Sequence, residues 1–129
     1  MSRGAYILMA LASAAGAAGV IESAAAAHGN PDPLLVTSAH FLMIDAAASI
    51  AITGFALNVP RGRCCFLIAA AILLGGGLLF CADLSVHVFT GHRLFPFAAP
   101  VGGTLMIVGW LVASVAALRF VFARATPES

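Results

Sequence analysis

Four long apolar stretches dominate the chain, at residues 5–27, 34–57, 64–90 and 98–122. Each stretch exceeds the roughly 20 residues that an α-helix needs to cross a hydrocarbon layer of about 30 Å. None of them shows the alternation of apolar and polar residues that marks a membrane β-strand. The pattern therefore predicts four membrane-spanning α-helices.

Short segments rich in turn-forming residues separate these stretches. The first runs from His28 to Pro33 and the second from Asn58 to Arg63, and the third begins at Thr90-Gly91. Proline and glycine at such points end helices, and connections of about six residues make consecutive helices antiparallel neighbours. We predict an all-α fold, an integral-membrane four-helix antiparallel bundle that forms a single membrane domain over residues 1–129.

The composition agrees with a membrane protein and excludes several other classes. Hydrophobic residues make up 62% of the chain and charged residues 9%, whereas a soluble domain carries about 25% charged residues. The formal net charge of +1 comes without a basic patch, so nucleic acid is not an expected partner. The three cysteines form no disulfide framework, and we expect them to pack as small apolar residues.

The arginines are unequally divided between the two ends of the predicted helices. Arg93 alone falls on one side. The other side holds Arg3, Arg61, Arg63, Arg119 and Arg124. Because short cytoplasmic loops carry the excess of basic residues, the sequence predicts that both termini are cytoplasmic. We expect a multi-pass protein of the bacterial inner membrane.

Residues 1–27 also fit a second interpretation, that of a cleavable signal peptide. Arg3, an apolar core and the small residues Ser23–Ala27 match that pattern, and cleavage after Ala27 would leave His28 at the new N-terminus. The apolar core is longer than the usual 7–15 residues, which favours an uncleaved first helix.

Four ionisable residues are expected at similar depth in the outer half of the bundle. They are Glu22, His40, Asp83 and His87. Glu22, His40 and Asp83 lie ~8–10 Å from the outer ends of their helices, and His87 follows Asp83 by one turn on the same helix face. Two carboxylates and two imidazoles could bind Zn, Mn or non-haem Fe, or could relay protons. A simpler interpretation is that Asp83 pairs locally with His87, while Glu22 extends towards water.

Asp45 is expected to be separate from this group. It lies ~16 Å into the second span, near the middle of the membrane. Five residues separate it from His40, so the two side chains point about 140° apart around the helix. We expect Asp45 to pair with a serine, a backbone group or a group on another subunit.

Several motifs in the C-terminal half share a recognisable order. They are Gly77-Leu78-Leu79-Phe80-Cys81-Ala82-Asp83-Leu84, Thr90-Gly91, Ala99-Pro100-Val101-Gly102-Gly103 and Gly109-Trp110. With them the chain resembles, over nearly its whole length, a family of small four-span membrane proteins catalogued as domain of unknown function four hundred and twenty-three.

The resemblance implies an uncleaved first span and implies no reaction. The chain departs from the family pattern at Ser85, where the pattern has tyrosine, and at Asp45, where relatives have a histidine-alanine pair.

The sequence favours a non-enzymatic role, that of a structural or accessory subunit that packs against lipid, a larger membrane complex or further copies of itself. Short loops and many small residues favour this role. An alternative is an ion- or proton-conducting or small-solute carrier element that uses intramembrane acids. A second alternative is a metal-binding membrane enzyme that uses the four-residue group. No cofactor is predicted beyond that possible metal.

Overall fold

A computed structural model describes residues 3–125, with side chains for residues 3–123. It contains four helices, α1 (Arg3–His28), α2 (Pro33–Asn58), α3 (Arg63–Thr90) and α4 (Ala98–Ala125), and residues 3–125 contain no β-strand. The all-α prediction is confirmed, and each predicted span ends within three residues of the corresponding helix end. All four helices are long and apolar enough to cross a membrane.

The helix ends are set by the turn residues between the spans. The Asp32 side chain caps α2 by accepting a hydrogen bond of 2.8 Å from Leu34 N, and Pro33 occupies the first helical position. At the other end of α2, Arg63 Nε donates to Ala56 O at 3.2 Å. Ala56 O also accepts a hydrogen bond of 3.4 Å from Val59 N, so Arg63 adds a second donor to this carbonyl and places a positive charge at the negative end of the helix dipole.

Consecutive helices pack against each other in antiparallel pairs. On the α1–α2 interface Gly16 faces Ala46 and Gly19 faces Met43, so the residue numbers run in opposite directions. The α3–α4 interface shows the same order, with Gly102 near Phe80 and Gly109 near Leu73. The antiparallel four-helix bundle is therefore confirmed.

The bundle is open rather than closed into a ring. Helix α2 contacts both α1 and α3, whereas α1 has only a small contact with α3. Within the described residues, α4 packs extensively against α3 and has no comparable interface with α1 or α2. The other described helices therefore leave broad faces of α1 and α4 uncovered.

Glycines allow the helix backbones to approach closely. A Cβ atom on Gly102 would lie 2.5 Å from Phe80 N and 2.8 Å from Gly76 O, and both of these are backbone atoms. A Cβ atom on Gly109 would lie 2.8 Å from Leu73 N. Small residues at helix contacts are a common basis of packing in membranes, where apolar side chains gain little by leaving lipid.

Candidate functional site

Glu22 binds side chains from two neighbouring helices. Its carboxylate is half-buried on α1 and accepts a hydrogen bond of 2.7 Å from Ser38 Oγ on α2. Its second oxygen accepts a hydrogen bond from Ser85 Oγ on α3. Glu22 does not extend towards water as one interpretation of the sequence expected, because the two serines hold its carboxylate between the helices.

Cys81 completes a polar group that we call the serine–glutamate cluster, formed by Glu22, Ser38, Cys81 and Ser85. Ser38 Oγ lies 3.2 Å from Cys81 O and 3.1 Å from Ser85 Oγ, and Cys81 Sγ donates to Ser38 O at 3.3 Å. The prediction that the cysteines pack as small apolar residues is confirmed for Cys81, which is buried and whose thiol also bonds α3 to α2, whereas Cys64 is exposed.

Asp83 binds the loop that connects α3 to α4. Its Oδ1 accepts a hydrogen bond of 2.9 Å from Leu94 N, and Arg93 Nη1 lies 3.7 Å from Oδ2. Asp83 is 1% exposed and Arg93 is 51% exposed, so the ion pair is half-open to the surroundings. The Asp83 carboxylate therefore holds the loop against the C-terminal end of α3.

The predicted pair of Asp83 with His87 is not formed. His87 Nδ1 is buried without a hydrogen-bond partner among the described residues. Asp83 turns instead to the backbone of the loop, whose N–H groups have no partner within a helix. The i,i+4 spacing places both residues on one helix face, but Asp83 accepts its hydrogen bond from the loop instead of from His87.

The four residues of the predicted metal site do not come together as one ligand set. Residues 3–123 contain no group of three or more His, Cys, Asp or Glu side chains arranged to hold a metal ion. His40 is exposed, because it follows the buried Ser38 by two residues and so lies about 200° around α2. Glu22 faces the serines and Asp83 faces the loop, so the two acids of the set make different contacts.

Asp45 lies in the interior, away from these contacts. It is 1% exposed, and its Oδ2 lies against Gly77 of α3, where an added Cβ atom would collide with the carboxyl group. Oδ2 has no hydrogen-bond partner in the described part of the chain. The nearby Ser49 donates instead to Ala70 O at 3.4 Å. The predicted hydrogen bond between Asp45 and a serine is therefore not formed at Oδ2.

A buried polar stripe runs along α2. We call it the polar column, and it consists of Ser38, Asp45, Ser49 and Thr53, each at most 1% exposed. Their spacing of seven, four and four residues places them on one helix face. The column and the serine–glutamate cluster share Ser38, so buried polar groups extend from the half of the bundle nearer the 29–32 connection well into the half nearer the 59–62 connection.

Sequence reasoning missed the serines because single hydroxyl residues are common in membrane helices. A signal was present, since Ser38 and Ser85 lie at the depth estimated for Glu22 on the next two helices. The helical periodicity of Ser38, Asp45, Ser49 and Thr53 was a second signal. Hydroxyl, thiol and carboxyl groups in this arrangement can bond helices together and can hold or pass protons.

Comparison with known proteins places the chain in a family. A family model described as a protein of unknown function, DUF423, matches residues 12–103. No curated protein and no solved structure matches the chain. The matched region contains the serine–glutamate cluster, the polar column and Asp83, and it includes most of α1. The chain belongs to the DUF423 family, whose function is unknown.

Proposed function

We propose that the protein is a non-enzymatic accessory subunit that packs against a helix of a larger membrane complex. The observation that carries this proposal is the outward face of α1. The small residues of this face, which we call the alanine face, are exposed and share one side of the helix with the exposed Ile21: Ala10, Ala14, Ala17 and Ala24. The small residues on the opposite side of α1 are already used against α2, as at Gly19.

The alanine face suits a second helix for a physical reason. Between two helices in lipid, association depends on close van der Waals contact, and small residues allow the backbones to approach. The same geometry is present inside the molecule, where Gly19 admits Met43 and Ala39 of α2. The connections 29–32, 59–62 and 91–97 leave little chain outside the helices, so helix faces are the main surface for a partner.

Photo-crosslinking in native membranes tests the accessory role. A photoreactive residue at Ala17 should crosslink to a partner of defined size, and the same residue at Val115 on the exposed face of α4 should not. Adding Ala14→Phe to the variant with the photoreactive residue at Ala17 should abolish the crosslink and the co-purification of the partner. Adding Val115→Phe instead should preserve both. Absence of a protein crosslink from Ala17, as from Val115, would show that both faces meet lipid and would reject the proposal.

We also infer that the protein lies in the bacterial inner membrane with both termini in the cytoplasm. The antiparallel order of the helices supports this inference, because it places Arg3, Arg63 and Arg119 at one end of the bundle and Arg93 at the other. Arg61 and Arg119 line the same groove at that first end. The excess of arginine marks the cytoplasmic side.

The polar column supports a second candidate function, the conduction of protons or cations. Intramembrane acids are costly and often mark ion pathways, and Asp45 lies in the interior in line with buried hydroxyl groups. Flux in proteoliposomes made from the purified protein tests this candidate. Asp45→Asn should abolish the flux, and Asp83→Asn should preserve it because Asp83 faces the loop. Absence of flux in the unmodified protein would reject conduction.

A further inference from the structure

A groove between α2 and α4 opens on the side of the bundle that faces lipid. Its volume is about 350 Å³, at the lower end of the range for small-molecule sites. Phe41 and Ile44 of α2, Phe80 of α3 and Met106 and Trp110 of α4 line it. The groove exists because α4 packs on α3 without closing onto α2.

Asp45 lines this groove and is the only acidic residue that does so. It lies near the middle of α2, about 18–20 Å from either end of the helix, beyond the reach of lipid headgroups. Its Oδ2 is buried without a hydrogen-bond partner among residues 3–125. Oδ2 itself lies against Gly77 of α3, so a donor in the groove would meet the Asp45 carboxyl group from the groove side. A buried carboxyl group without a partner costs free energy, and such a donor would offset that cost.

The aromatic walls favour a positively charged donor. The rings of Phe41 and Phe80 meet edge to face with centroids 5.5 Å apart, and Trp110 faces the groove from α4. Aromatic faces attract cations, and Trp is the strongest of the three aromatic types in this respect. An acyl chain could fill the apolar volume but would leave the Asp45 carboxyl group without a partner.

We propose that this groove binds a small lipophilic amine, whose ammonium group pairs with Asp45 and whose apolar part contacts the aromatic walls. The amine reaches the groove from within the bilayer, because Ile44 and Trp110 are about half-exposed on the lipid side, at 55% and 48%. This site is independent of the accessory role, since the alanine face lies on α1 and does not contribute to the groove.

Fluorescence of Trp110, the single tryptophan of the chain, reports directly on the groove. The full-length protein is reconstituted in phosphatidylcholine vesicles and titrated with bromooctylamine, whose bromine quenches a tryptophan that it contacts. Bromooctanol is the matched neutral probe with the same chain and quencher. We expect saturable quenching by the amine, with half-saturation at a concentration about tenfold lower than for the alcohol.

Three variants separate binding from partition into the membrane. Asp45→Asn should remove the preference for the amine, and Glu22→Gln, a carboxyl group outside the groove, should preserve it. Gly103→Leu should fill the groove and abolish saturation, since a Cβ atom there has 3.9 Å of clearance from Phe80 Cδ2 and the fold should tolerate it.

Other outcomes would overturn the proposal. Equal quenching by the two probes in the unmodified protein would indicate partition into the bilayer only. A preference for the amine that persists in Asp45→Asn would place the binding elsewhere. Trp110 protected from both probes in every variant would indicate that a protein helix, such as one from a second copy, occupies the groove.

Discussion

At the scale of single residues, buried polar side chains bond the helices to one another. Glu22 accepts hydrogen bonds from hydroxyl groups on α2 and α3, and the Ser38 hydroxyl group also contacts the Cys81 carbonyl group. An ionised or polar group within a bilayer needs partners supplied by the protein itself. The serine–glutamate cluster meets this need and fixes α1, α2 and α3 at one depth.

Ser38→Ala should lower the free energy of unfolding by about 1–2 kcal/mol, because it removes a donor to a half-buried carboxylate. The control is Ser13→Ala on the exposed face of α1, where the hydroxyl group bonds only to Met9 O of its own helix. That substitution should change the free energy by no more than about 0.5 kcal/mol. Unfolding titrations in mixed detergent micelles measure both values, and equal losses would contradict a bridging role for Ser38.

At the scale of helices, glycines decide how closely neighbouring elements approach. Gly102 of α4 lies over Gly76 and Phe80 of α3, so the two backbones meet there. Gly75 precedes Gly76 on α3, yet a Cβ atom added to Gly75 would point into open space with no atom within 4 Å. Glycines that are neighbours in sequence therefore serve different purposes, because the helix turns by about 100° per residue.

Gly102→Ala should destabilise the protein by about 1–3 kcal/mol, because the new methyl group meets backbone atoms that cannot rotate away. Gly75→Ala is the matched control, and it should be neutral or stabilising by up to about 1 kcal/mol because alanine favours the helix. The unfolding free energy of Gly102→Ala should therefore lie below that of Gly75→Ala by at least about 1 kcal/mol. Equal effects would mean that the α3–α4 contact at Gly102 tolerates a wider separation.

At the scale of the whole molecule, antiparallel packing sorts the charges between two ends. The 59–62 loop lies at the same end as the beginning of α1 and the end of α4, and the 91–97 loop lies at the opposite end. The bundle therefore has an arginine-rich end and an arginine-poor end. Such a polarity determines the orientation with which a membrane protein is inserted.

Thiol labelling in intact spheroplasts tests the orientation. In a background without the native cysteines, His92→Cys should react with a membrane-impermeant maleimide, and Pro60→Cys should react only after the membrane is permeabilised. Both positions are exposed, and neither substitution alters an arginine. Labelling of Pro60→Cys alone in intact spheroplasts would reverse the assigned topology.

Much of the site was outside the reach of sequence patterns. Periodicity placed Glu22, Asp83 and His87 at similar depth, but rotation around each helix axis was unknown, and a rotation of about 100° changes which neighbour a side chain meets. Asp83 therefore accepts a hydrogen bond from the Leu94 backbone and not from His87. Glu22 accepts hydrogen bonds from two serines that belong to no sequence motif.

The sequence by itself determined the number of spans, their ends and the division of arginines, because hydropathy and turn residues act locally along the chain. Only the tertiary structure decided that, within the described residues, α4 packs mainly on α3, and hence that a groove opens beside Asp45. Packing between helices depends on which faces fit at a distance of a few ångströms. That fit depends on the shapes of both helix faces together, so the sequence of one helix alone does not predict it.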